Sequence, residues 1–144
     1  MSAVAGYNPL RWNCDDRGCY NVKHRPKIEF FAGALPGKIA MTDVDATTEV
    51  NGHFLFLEWK SGDPRDLPTG QRIYAQRLTS LSEKITYVVV CGDAETMEVK
   101  AVLPIAKGKL HGWQNCDLEG LFERIRRWST KAKLQVVSPS RAAA

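Results

Sequence analysis

Short apolar runs separated by turn residues divide the chain into two hairpins and three helical stretches. Residues 39–50 and 53–60 read as strands. Asn51-Gly52 between them is a strong hairpin signal, because both residues tolerate positive φ. Ahead of this hairpin, residues 27–35 carry Ile28, Phe31 and Leu35 at helical spacing, and Pro36-Gly37 ends that stretch. Behind it, residues 61–69 form a loop with Gly62, Pro64 and Pro68. A helix is then expected over 69–82, with Ile73, Tyr74, Leu78 and Leu81 on its apolar side. Residues 85–91 are an unbroken β-branched and aromatic run, as in a strand buried on both faces. Gly92 to Glu95 makes a turn, residues 97–105 return as a strand, and 107–114 read as loop. The last helix begins after Asn115 or Asp117, either of which can cap it. Leu118, Leu121, Phe122, Ile125 and Trp128 form its stripe. Residues 1–26 read as irregular and 136–144 as a frayed tail. The expectation is an α/β (α+β) fold, a central mixed β-sheet flanked by helices, in one domain over residues 1–144.

Composition narrows the function classes only a little. With 44% hydrophobic and 25% charged residues the chain is ordinary for a globular protein. No apolar run approaches the roughly 18 residues of a membrane span. The start of the chain lacks a basic-then-apolar leader, so a cytoplasmic protein is expected. The net charge of +4 permits an anionic partner without requiring one. Of the four cysteines, Cys14 and Cys19 stand with His24 in a C-x4-C-x4-H spacing. That supplies three soft ligands and no evident fourth, so free thiols without stoichiometric zinc are expected.

The hairpin carries the chemistry. With Asn51 and Gly52 at the turn, Val50 pairs with His53, Asp45 falls opposite Glu58, and Asp43 falls opposite Lys60. Side chains alternate along a strand, so Asp43, Asp45, Glu58 and Lys60 share one face with Phe54 and Phe56. Leu55, Leu57 and Trp59 take the other. Directly opposed carboxylates repel and weaken a hairpin. A hard divalent cation held by Asp45, Glu58, a backbone carbonyl and water removes that conflict. Lys60 on the same face can orient a water or stabilise phosphate charge. The plainer reading is a surface ion pair at a strand end. Against it stands the apolar run Phe54 to Leu57, which marks a central strand.

Asp45 followed by Glu58-Trp59-Lys60, on a hairpin after a helix and before another, resembles the PD-(D/E)XK nuclease signature over roughly residues 27–91. The resemblance implies a restriction-endonuclease-like core and a Mg2+- or Mn2+-dependent hydrolase acting on DNA phosphodiester bonds. It is similar in this to small phage-encoded and recombination-type nucleases. It implies that Asp45 and Glu58 bind metal with the Trp59 carbonyl assisting, and that Lys60 positions the attacking water. Val44 stands where the family has a proline, and Asp43 is a rival or helper for Asp45. Glu29 is the local candidate for a further acidic ligand from the first helix. Gln71 and Tyr74 resemble a glutamine–tyrosine pair on the following helix, at a spacing one residue shorter. The plainer reading makes Tyr74 core and Gln71 an exposed first-turn residue. Arg72 and Arg77, and Arg127 on the basic last helix, can contact phosphates or remain solvated. Pairing of two sites through a homodimer is a further expectation. A non-cleaving nucleic-acid-binding protein and a zinc-stabilised interaction module are the alternatives.

Overall fold

The computed structural model describes residues 25–62 and 65–135 and divides between Asp43 and Val44 into two units. The first contains a 3-10 helix, Ile28–Ala34, none of whose residues is buried. Cys14, Cys19 and His24, with the zinc question attached to them, lie outside the described residues, as does the expected tail.

The second unit holds the sheet. Strand β1 is Ala46–Val50 and β2 is His53–Ser61. Helix α1, Thr69–Ser80, follows, then β3, Ile85–Asp93, and β4, Glu98–Ala106. Two short strands, β5 (Lys109–Leu110) and β6 (Gln114–Asn115), precede helix α2, Leu118–Leu134. The six strands form one mixed sheet in the order β1-β2-β3-β4-β5, with β6 also on β4. Only β2 and β3 run parallel, joined by the α1 crossover; the other pairs are antiparallel. A parallel neighbour demands such a crossover, whereas hairpins do not.

The hairpin turns where expected. Asn51 and Gly52 have φ of 49° and 81°, and Val50 pairs with His53. The strand expected over 39–50 is shorter than predicted, because its ladder begins only at Ala46↔Leu57. The Trp59 amide next in line donates to the Asp45 side chain instead. With that donor taken, pairing stops, and Asp43 has no ladder partner opposite Lys60. The loop expected over 107–114 is also corrected. Lys107 and Gly108 both adopt positive φ, 52° and 74°, which closes a tight hairpin and pairs Ile105 with Leu110.

The core lies on both faces of the sheet. On the α1 side, Ala75, Tyr87, Val89, Leu103 and Ile105 pack with Phe56, Leu78 and Trp113. On the α2 side, Val90, Val99, Val102 and Leu121 pack with Leu57, Trp59 and Ile125. The alternation along β2 therefore sends Phe56 one way and Leu57 and Trp59 the other. Asp117 caps α2, its Oδ1 accepting from the Gly120 amide at 2.7 Å.

Candidate active site

The β2 side chains beyond Phe56 on the α1 face are Glu58 and Lys60. The Lys60 Nζ lies 3.8 Å from Glu58 Oε1, and both side chains are largely covered, 20% and 13% exposed. Two residues apart on one strand, they can meet only by sharing a face. Asp45 closes the group from the other arm of the hairpin: its Oδ2 accepts from the Trp59 amide at 2.6 Å. The ladder begins one residue later, at Ala46↔Leu57, so this hydrogen bond and not strand pairing holds Asp45 to β2 beside Glu58.

Tyr87 on β3 belongs to the same group. It pairs with Phe56 across the parallel ladder, and the two rings stack with centroids 6.0 Å apart. Its hydroxyl lies close enough to Glu58 to feel the charge of that carboxylate. Burial, then the charge of Glu58, then Tyr74 and Asp45, push this hydroxyl well above the ordinary tyrosine value. A buried O–H thus stands near two carboxylates whose charge favours its neutral form. Tyr87 is a site residue that sequence reading missed, since it sat inside an apolar run and looked like core. Its place two residues before Val89, in a strand parallel to β2, was the available signal.

Helix α1 returns the chain from the end of β2 to the start of β3 and packs on β3 and β4. Gln71 lies in the first turn of the helix, and its Oε1 is buried with no hydrogen-bond partner among the described residues. A buried carbonyl oxygen left without a donor is costly. Tyr74, one turn later, meets Tyr87 edge-on at 6.3 Å and is 40% exposed, so it is neither pure core nor remote. Arg72 and Arg77 are exposed on the same helix, and Arg127 is exposed on α2.

Two expected residues fall in the first unit. Glu29 pairs with Arg25 at 3.3 Å. A backbone hydrogen bond and that of Arg25 hold its carboxyl below the usual range. Asp43 is exposed at the end of that unit. Among the described residues no three His, Cys, Asp or Glu side chains converge as a metal cage. The oxygen donors at this site are the two carboxylates, with one Asp45 oxygen already engaged by Trp59. That suits a hard, largely hydrated cation such as Mg2+, which commonly takes one or two carboxylates and keeps its waters. It does not suit zinc, for which soft ligands are absent here. No protein-family model, curated protein or solved structure matches the chain.

Proposed function

We propose that the chain is a metal-dependent nuclease that hydrolyses DNA phosphodiester bonds, in recombination or another DNA-processing step. One observation carries the reading: Asp45 is bonded to the Trp59 amide between Glu58 and Lys60, which share one face 3.8 Å apart. Like charges facing across a hairpin weaken it unless a cation offsets them. In this reading Asp45 and Glu58 hold Mg2+ or Mn2+, with the Trp59 carbonyl as a further donor. When bound, the cation supplies Lewis-acid stabilisation of phosphate charge and a more acidic water. Lys60 brings its ammonium to the same face to orient water or offset developing charge. In this reading the Tyr87 hydroxyl donates to Glu58 and fixes its direction.

The element order supports the same reading: helix, acid-bearing hairpin, crossover helix and parallel strand follow one another as in the PD-(D/E)XK resemblance. A restriction-endonuclease-like core is accordingly part of the proposal. Fold order alone does not make an enzyme, so the weight rests on the three charged side chains.

The test is cleavage of labelled DNA (duplex, single strand, flap and junction) in Mg2+, in Mn2+ and in chelator. Wild type should cut only with metal. Lys60→Ala should lose on the order of a hundredfold or more in rate yet still bind metal, because an ammonium cannot coordinate a cation. Glu58→Gln should lose both. Undiminished cleavage by Lys60→Ala, or cutting that persists in chelator, would overturn the mechanism.

A further inference from the structure

The end of β2 away from Lys60 opens on a cleft of about 680 Å3 between the α1–β3 loop, the β4–β5 turn and the last turns of α2. His53, Lys84, Lys107 and Lys131 line it. A shallower depression of about 530 Å3 adjoins it on α2, sharing Lys131 and adding Arg126 and Arg127. Two of these cations have acidic neighbours: Arg126 meets Glu123 at 2.6 Å, and Lys107 meets Glu83 at a loose 3.9 Å. Lys84, Arg127 and Lys131 have no carboxylate partner among the described residues. Solvated surfaces ordinarily intersperse both signs. Here the unpartnered cations border two depressions that share Lys131 and Gln135.

We infer that this cleft and its extension along α2 bind the sugar–phosphate backbone of nucleic acid, as a second contact remote from Lys60. The reason for a polymer lies in the spread of charge. From Lys107 on a turn to Arg127 on α2, the cations are spread over three elements and two adjoining depressions rather than gathered in one pocket. A strand offers one phosphate every ~3.4 Å and can meet such a spread, whereas a single small anion cannot. Seven steps of β2 separate His53 from Lys60, roughly 23 Å at the usual strand rise. That corresponds to about seven nucleotides along one strand. The inference rests on the nuclease reading for the identity of the polyanion, but the contact requires no cleavage.

The experiment is equilibrium binding of the full chain to a fluorescein-labelled duplex of about 30 base pairs, in EDTA, over a salt series. The variant joins Lys84→Gln, Arg127→Gln and Lys131→Gln. A control of equal charge change joins Arg25→Gln, Lys38→Gln and Lys100→Gln. The first variant should make the slope of log affinity against log salt shallower by about 2.7 and lower affinity at least ~tenfold. The control should keep most of the wild-type slope. An unchanged slope in the first variant, or an equal change in the control, would overturn the assignment. Wild type that binds with this slope but never cleaves would remove the nuclease reading and leave the cleft standing. Cleavage by a chain whose triple variant binds unchanged would do the reverse.

Discussion

Tyr87 shows how one hydroxyl joins packing to chemistry. The residue is 3% exposed, its ring is stacked on Phe56, and its O–H lies within reach of the Glu58 charge. Tyr87→Phe keeps the ring and removes the donor. Groups that orient a ligand side chain typically contribute tenfold to a hundredfold in affinity or activity, so that loss is expected in metal titration and cleavage. Retention of wild-type values would show that Glu58 is oriented without it. The same residue gives an alkaline prediction. Its folded pKa is raised above the ordinary 10.0, so the neutral form contributes stability that is complete below about pH 10. That contribution is lost as pH rises from there towards the folded value. Wild type should therefore lose melting temperature more steeply above pH 10 than Tyr87→Phe; parallel curves would contradict the sign.

At the scale of elements, the hairpin turn is also a brace for α2. Asn51 Nδ2 donates to the carbonyls of Ala132 at 3.1 Å and Gln135 at 2.6 Å, where a helix end has orphan acceptors. His53, 8% exposed, reaches Gln135 Oε1 at 2.8 Å through Nε2. Asn51→Gly preserves the positive φ and deletes only the amide, so it should cost about 1–2 kcal/mol in denaturant melts. No change would mean the brace contributes nothing. Gly92→Ala should be harsher. Its Cβ would collide with the Glu98 backbone, beside the bulge where Cys91 pairs with Ala101 but Gly92 with Val99. A cost at the upper end of the usual 1–3 kcal/mol for overpacking is expected. Asn51-Gly52, the apolar β3 and the Asp117 cap were legible because each rests on local rules. The turn at Lys107-Gly108 was not read, because its lysine is an uncommon choice for positive φ. The true start of β1 was hidden for another reason. It depends on a side chain from 14 residues away capturing a ladder amide, and no local pattern encodes that. Glu58 and Lys60 were readable as one face from strand alternation alone. Tyr87 was not, because a parallel neighbour arrives through a crossover and its register is set by packing.

For the whole molecule, metal binding and folding should be linked. A cation that binds the folded chain alone, at about a hundred times its Kd, adds about 2.7 kcal/mol. For a domain near a hundred residues that raises Tm by roughly 10 °C or more. Mg2+ or Mn2+ should produce the shift in wild type and not in Glu58→Gln, as read by thermal melting. A Tm indifferent to both ions would leave the carboxylate pair without a cation. The Asn51 brace has a different consequence, in time rather than energy. The residues it joins are 81 and 84 positions apart. Closing so long a span carries an entropic cost that only later contacts repay, and such pairings slow folding. On the ribosome the hairpin with both carboxylates emerges well before the helix end that will clasp its turn. That arm of the sheet must therefore wait, partly exposed, for the final turns of α2 to be made. Stalling synthesis just short of Ala132 should leave that hairpin more open to protease than release of the finished chain does.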